Sequence, residues 1–347
     1  MGQQLCEGEK IALGDALCRG VNLNRGILGQ FNPYGNAFVM EFDTTIAGAT
    51  GAGILAIPAG NTGGYNAVVD WGDGTTSAVT AYNDANLTHD YTATTGAGVY
   101  DVKITGTFPW LFFNNGGDKL KLLKIKNWGD VGFALLQSMC HGCANLVSIT
   151  SYSGKVAVTA SNNYNLFNGC SSLEYADLRA FYDSVIVGTS NNWFINNTKL
   201  KKVIFGLTKF STPAGFAGFF SGAPALEDCG NLSAFEDAAA STYSSFFNGA
   251  SSVVGIEPQR LDISAINSAA ASLANMFAGV TISTPNYDAT LIDFEAQAAA
   301  YSGTNANLVN TVVHFGNSKF SSGGAAEAAR ASLISTYGWT ITDGGAA

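Results

Sequence analysis

A short pattern, aromatic-x-Gly-small-x-x-aliphatic, recurs through the middle of the chain and restricts its fold more than any other feature. It reads MCHGCANL at 139–146, LFNGCSSL at 166–173, WFINNTKL at 193–200, FFSGAPAL at 219–226 and FFNGASSV at 246–253. Its second position falls at Cys140, Phe167, Phe194, Phe220 and Phe247, in steps of 27, 27, 26 and 27 residues, and a weaker copy at Phe277 follows after 30. The closing aliphatics Leu146, Leu173, Leu200, Leu226 and Val253 keep the same beat. A period of about 20–29 residues marks coils that each supply one strand and a return segment. One such coil cannot bury its own apolar face, so copies stack, with equivalent residues one above another at about 4.8 Å. Phe167, Phe194, Phe220, Phe247 and Phe277 are expected to form one internal column and the aliphatic positions a second. The Gly or Asn after the aromatic supplies the positive φ of a tight corner.

Composition suits stacking better than catalysis. Charged residues make up 12% of the 347, while 41 are glycine, against averages of about 25% and 7%. Glycine fits coil corners, and small polar residues fit narrow returns where long charged side chains would crowd. A net charge of −9 excludes phosphate-backbone binding, which needs clustered Lys and Arg, and gives no reason to expect an anionic membrane partner. Three histidines and scattered carboxylates leave little material for acid–base chemistry, and no G-x-S-x-G, Walker or H-E-x-x-H motif occurs. No catalytic, cofactor or metal site is expected. No window approaches 18 consecutive apolar residues, so no membrane insertion is expected. The start MGQQLCEGEKIALGDALCRG lacks a basic region followed by an apolar run and so does not read as a secretory signal; the expectation is a chain that either was cut from a precursor or is made and used without such export.

Upstream of the repeat, Phe38–Phe42, Asn66–Trp71 and Val99–Ile104 alternate near period two, which predicts a small β-sandwich. Asp70 and Asp73 suggest calcium only weakly, since the spacing of a dedicated loop is missing. Leu120, Leu122, Leu123 and Ile125, interleaved with Lys119, Lys121, Lys124 and Lys126, read as an edge strand with its lysines solvated against unwanted pairing, and Trp128 packs behind it. The division expected is an anchoring arm at 1–36, a sandwich at 37–110, the repeat array at 111–285 and a capping segment at 286–347.

Phe-x-Gly-Cys-x-x-Leu at this spacing resembles the BspA-like leucine-rich-repeat proteins of bacterial surfaces and phage structures, over roughly residues 115–345. The ending supports the resemblance: Asn317–Phe320, an Ala-rich helical stretch at Ala325–Ile334, then Tyr337–Gly345. This copy departs from the pattern where Asn196 replaces Gly and Cys140 replaces the aromatic, which predicts distorted coils there. The run Val69-Asp70-Trp71-Gly72-Asp73-Gly74-Thr75, then Thr88-His89-Asp90-Tyr91, then Gly98–Ile104, resembles the PKD-type immunoglobulin-like domain, which implies that Asp73-Gly74 makes a hairpin turn and that His89 bonds within the fold. The implied fold class is mainly β with short helices: a PKD-like β-sandwich followed by a leucine-rich-repeat solenoid with a C-terminal cap.

Six cysteines stand at 6, 18, 140, 143, 170 and 229. Cys140-His141-Gly142-Cys143 is formally C-x-x-C, but Cys143 and Cys170 fill the same slot in adjacent copies, so buried free thiols are the leading reading over a disulfide or zinc. Cys6 and Cys18 pair with each other or with a neighbouring subunit, or stay free. Asp293 and Glu295, in the Tyr287–Ala300 segment, fit a solvated face of a short helix. The function expected is that of a non-enzymatic bacteriophage virion protein, for decoration, tail fibre or host attachment. Its partners would be other virion proteins through the arm, and a host-surface protein or glycan, within an oligomeric assembly. The alternatives are a bacterial cell-surface leucine-rich-repeat adhesin, and a glycan-binding or glycan-active protein. Candidate surface-binding residues are Tyr152, Asn162, Asn163, Tyr164, Asn191 and Asn192, polar positions that interrupt the apolar beat; the alternative is that they are ordinary solvated loops.

Overall fold

The computed structural model describes residues 32–150, 154, 156, 162–181, 185–186, 188–205, 209–210, 215–230, 232, 234–236 and 239–347. Most of the expected arm, with Cys6 and Cys18, and the candidate Tyr152 lie outside the described residues. Residues 34–347 form one compact unit. Tyr34–Asn36, read from sequence as part of the arm, belong to it. The Asn36 carbonyl accepts from the Asp130 amide at 2.9 Å, and the Asn127 amide donates to the Gly35 and Ala37 carbonyls.

The fold is mainly β. An eight-stranded mixed sheet dominates, and two α-helices are present among the described residues. The strands in chain order are β1 (Phe38–Asp43), β2 (Ile54–Ala56), β3 (Asn66–Asp70), β4 (Thr76–Val79), β5 (Thr88–Asp90), β6 (Val99–Thr107) and β7 (Leu122–Asn127). There follow β8 (Ser148–Ile149), β9 (Tyr175–Asp177), β10 (Val185–Ile186), β11 (Lys202–Ile204), β12 (Lys209–Phe210), β13 (Val312–His314) and β14 (Thr340–Thr342). The large sheet runs β11-β9-β8-β7-β1-β6-β3-β4. From β7 through β1 and β6 to β3 and β4 every pair is antiparallel, and from β7 through β8 and β9 to β11 every pair is parallel. β1 is buried throughout except at its last residue; Phe38, Met40 and Phe42 make one face apolar, while the other carries Val39, Glu41 and Asp43. β3 alternates buried and exposed, so one of its faces meets solvent.

β7 is the strand at which the sheet changes direction, and this corrects the edge-strand reading. It lies between β1 and β8, so its lysines do not guard a free edge. Lys124 and Lys126 reach Glu41 at 2.8 and 2.6 Å, and Lys126 also reaches Asp101 at 2.7 Å. Lys121 precedes the strand in a 3-10 turn and is fully buried. Trp128 is buried as expected. In place of a second full sheet, β2 and β5 form a separate antiparallel ribbon, whose Leu55 joins Trp71 and Tyr91 in the common core.

The hairpin expected at Asp73-Gly74 joins β3 to β4. Asp73 Oδ1 accepts from the Thr75 amide at 3.0 Å, closing an Asx turn. Gly72 holds φ +81, and a Cβ there would run into the Asp101 carbonyl oxygen. His89 bonds within the fold as expected, its Nε2 2.7 Å from Asp73 Oδ2.

Copies of the repeat are stacked by backbone hydrogen bonds that join alternate residues of one corner to the next. The amides of Ser138, Cys140 and Gly142 donate to the carbonyls of Tyr164, Leu166 and Asn168, and those of Asn165, Phe167 and Gly169 to Asn191, Trp193 and Ile195. The same ladder continues through Phe194 to Phe219, Phe220 to Phe246, Phe247 to Met276 and Phe277 to His314. Inside the stack the phenylalanine column forms with near-parallel rings. Centroids lie 5.4 Å apart for Phe167–Phe194, 5.6 Å for Phe194–Phe220, 5.2 Å for Phe220–Phe247 and 5.8 Å for Phe247–Phe277. Phe315 extends it at 5.8 Å from Phe277, a sixth ring that the spacing did not reveal. Leu146, Leu173, Leu200, Leu226 and Val253 are buried beside it.

Each corner uses two left-handed residues four apart, as at Asn165 and Gly169, Asn192 and Asn196, or Ser245 and Gly249. Asn196 holds φ +61 where the other copies have Gly at φ +69 to +80, and its amide still donates to the Ser221 carbonyl at 2.8 Å. The coil is therefore regular here, contrary to the expected distortion, because Asn tolerates this conformation far better than other non-glycine residues. Asn196→Ala is expected to lower stability by about 1–2 kcal/mol, and Asn196→Gly to change it by less than about 0.5 kcal/mol. Urea unfolding midpoints separate the two, and equal losses would show that the left-handed conformation is not what the position requires.

The C-terminal segment consists of α1 (Thr284–Tyr301), α2 (Ala325–Ser335) and the parallel pair β13–β14. The expected helix-then-strand ending is present. α1 buries Tyr287, Thr290, Leu291, Phe294 and Ala298, a helical stripe at intervals of three and four. Arg330 on α2 grips Asp343 just beyond β14 with two bonds of 2.7 and 3.1 Å, and the Tyr287 hydroxyl donates to the same carboxylate at 2.6 Å. Burial alone would raise the Asp343 carboxyl; these bonds outweigh it and hold the group below its ordinary range.

Candidate functional site

The polar residues singled out in the repeat gather at one corner of the stack and are largely engaged there. Asn163 is fully buried, so it contributes to no outer surface, which corrects its selection as a binding residue. Its Oδ1 accepts from the Leu136 amide at 3.2 Å, and its carbonyl accepts from the Trp193 indole. Tyr164 is half-buried, and its hydroxyl accepts from Gln137 Nε2 at 2.7 Å. Asn191 Oδ1 accepts from the Ala217 amide at 2.7 Å, capping the next copy. Asn192 occupies the left-handed corner at φ +60. Asn162 is exposed and bridges to Thr189 in the neighbouring copy. The structure thus brings these five together as a short row, four of whose members hold the corner in shape.

Titratable groups elsewhere are also committed to the fold. Burial alone would raise the Asp73 carboxyl, yet hydrogen bonds from Thr75, Thr94 and His89 outweigh it and hold it well below the usual carboxylate range. With every one of these donors directed at it, Asp73 is occupied as a turn former. Among the described residues no group of three or more His, Cys, Asp or Glu side chains is arranged to hold a metal ion. Cys140, Cys143, Cys170 and Cys229 are free and buried. Burial pushes the thiols of Cys143, Cys170 and Cys229 up, away from the thiolate form that attacks electrophiles or binds metals.

A polar pocket that the sequence reading missed opens between α1 and the chain at 236–262. Its volume is about 290 Å³, and its walls include Glu236, Gln259, Arg260, Asp262, Gln297 and Tyr301. Gln259 and Arg260 are set by a 3-10 turn that starts at Pro258, whose fixed φ favours the first helical position. Gln297 and Tyr301 stand four apart on α1 and so share a face. Gln297 pins that face to the stack: its Oε1 accepts from the Ile263 amide at 2.8 Å, and its Nε2 donates to the Leu261 carbonyl at 3.0 Å and to Asp293 at 2.7 Å. Arg260 bonds to Glu257 through Nε and to Glu236 through Nη1 at 3.2 Å. Gln259 Oε1 is buried without a hydrogen-bond partner among the described residues.

Compared with known proteins, the chain matches no family model, no curated protein and no solved structure. Its site is therefore read from geometry. Asp293 and Glu295 do not share a solvated face. Asp293 is partly buried towards Gln297, and that burial raises its carboxyl. Glu295 accepts from the Ser332 hydroxyl on α2 at 2.9 Å. The pocket carries no repeat and no short motif, because its members come from three separate stretches of chain. The one sequence signal available was Tyr301, an aromatic closing a helix in an otherwise Ala-rich segment.

Proposed function

We propose that this chain is a non-enzymatic bacteriophage virion structural protein, a decoration or host-attachment component that displays a leucine-rich-repeat solenoid on a PKD-like base. The observation that carries the reading is the single sheet shared by the antiparallel and parallel halves, joined at β7. A repeat stack seamed by strand pairing to its base moves with that base, as a display element requires. A flexible linker would let it swing freely. Further support comes from the resemblance of the repeat to BspA-like arrays, and from carboxylates and thiols that serve turns, ion pairs and the core. In this reading the arm holds the protein to other virion components and the stack faces outward.

Fractionation of a culture that makes the protein from its own genome tests the proposal. The protein is expected to co-sediment with purified phage particles, and removing residues 1–33 is expected to abolish its incorporation while the rest of the chain stays folded. Recovery in the bacterial envelope alone would favour the adhesin reading. Incorporation of the truncated chain would show that the arm is not the attachment element.

A further inference from the structure

We propose that the pocket between α1 and residues 236–262 binds one neutral sugar unit of a glycan, an inference that stands on the pocket alone, whatever surface carries the protein. Ligand pockets commonly span about 300–1,000 Å³. At about 290 Å³ this one sits at the lower bound, with room for a single pyranose ring rather than a larger ligand.

The chemistry of the walls selects the ligand. A sugar hydroxyl both donates and accepts, so adjacent hydroxyls suit a wall that offers donors and acceptors side by side. Arg260 is held in place by Glu257 and Glu236, while its Nη2 donates to nothing among the described residues. Asp262 uses Oδ1 to cap the Ser264 amide, leaving Oδ2 as an acceptor. Buried polar atoms are nearly always hydrogen-bonded, and Gln259 Oε1 is an exception that a hydroxyl donated by a ligand would resolve. Tyr301, 46% exposed, adds an aromatic ring against which the C–H face of a sugar can lie, and a hydroxyl for its edge. Gln297 is spent on fixing the wall and acts as a positioning residue.

Charge excludes the acidic sugars. Glu236 and Asp262 face a single guanidinium among the pocket walls, so an added carboxylate would meet net repulsion. An open pocket of this size implies a monovalent dissociation constant on the order of millimolar, and display of many copies would raise the effective affinity.

The test uses the full chain and saturation-transfer NMR with the methyl glycosides of glucose, galactose, mannose and N-acetylglucosamine, and with glucuronic acid, each at about 20 mM, well above a millimolar Kd. At least one neutral glycoside is expected to give a signal and glucuronic acid none. Arg260→Gln and Tyr301→Ala are each expected to weaken binding at least about ten-fold, while Ile334→Ala, exposed on α2 and outside the pocket, leaves it unchanged. Gln259→Leu removes the unpartnered oxygen, so it is expected to weaken binding with the melting temperature unchanged or raised, a combination that a purely structural role would not give. Silence from every neutral glycoside, a stronger signal from glucuronic acid, or full binding by the three pocket variants would each overturn the proposal.

Discussion

Replacing Phe219 by alanine is expected to destabilise the protein by about 3–5 kcal/mol, the range for truncating a large buried aromatic side chain. Phe219 lies where two columns touch. Its ring is 5.3 Å from Trp193 and 5.6 Å from Phe246, above and below, and 4.8 Å from Phe220 and 5.3 Å from Phe235 at its sides. The cost depends on whether the cavity can collapse. Here the neighbours are fixed by their own ladders, with the Phe194 amide on the Phe219 carbonyl and the Phe220 amide on Phe246, both at 2.8 Å. They cannot drop into the gap without breaking the stack, which places the loss towards the upper end. Val254→Ala is the control: this side chain is 71% exposed, and its loss is expected to change stability by less than about 0.5 kcal/mol. Urea unfolding followed by tryptophan fluorescence reads both, with Trp193 reporting on the cavity directly. Because a stack is held by nearest-neighbour contacts, the Phe219 variant should also show a broadened or two-step transition as the halves uncouple. A loss below about 1.5 kcal/mol would mean that the columns repack and that the ladder, rather than the rings, sets stability.

The repeat was legible because each copy spends the same residue types on the same slots. Once the copies are aligned, even the misjudged Asn163 carries a warning. Leu136, Ser190, Phe216, Tyr243 and Leu273 occupy the equivalent place in the other copies, and all are buried. A polar residue in an inward-facing slot is more informative about the core than its own chemistry suggests. Asn196 teaches the converse, since a departure from Gly there preserved the one property the slot demands, a positive φ.

What the sequence did not disclose depends on contacts between distant stretches. Nothing in Leu122–Asn127 announces that one edge will pair antiparallel with β1 and the other parallel with β8. Strand alternation assigned every lysine from 119 to 126 to solvent, but Lys119–Lys121 form a 3-10 turn before the strand begins, so the period-two count fails there. The pocket is hidden for the same reason. Glu236, Arg260 and Tyr301 converge only when α1 docks, and the docking is fixed by Gln297, an amide with no pattern to mark it.

Lys121→Met is the second large effect expected, about 3–5 kcal/mol, because removing one member of a buried pair leaves the other charge without compensation. Lys121 and Asp118 are both fully buried, with Nζ 3.3 Å from Oδ2. The ammonium also donates to Thr50 Oγ1 at 2.9 Å, to the Gly51 carbonyl at 2.6 Å and to the Ile54 carbonyl. Asp118 accepts from the Thr50 amide and hydroxyl and from the Ala56 amide, at 3.1, 2.6 and 2.9 Å. The pair therefore fastens the chain between β1 and β2 to the approach to β7, where the two halves of the sheet meet. Gly48 lies so close over it that a Cβ there would overlap both side chains. Methionine fills the space of the lysine stem but leaves a carboxylate and two carbonyls facing an apolar group. Asp118→Asn/Lys121→Met removes the charge as well, and is expected to cost less than Lys121→Met alone. In the single variant hydrogen exchange at the Thr50 and Ala56 amides should quicken before global unfolding, since their acceptor has lost its counterion. If the single substitution costs less than about 1 kcal/mol, or the double costs more than the single, the buried charge is not what holds this junction, and the backbone pairing of β7 with β1 would carry it unaided.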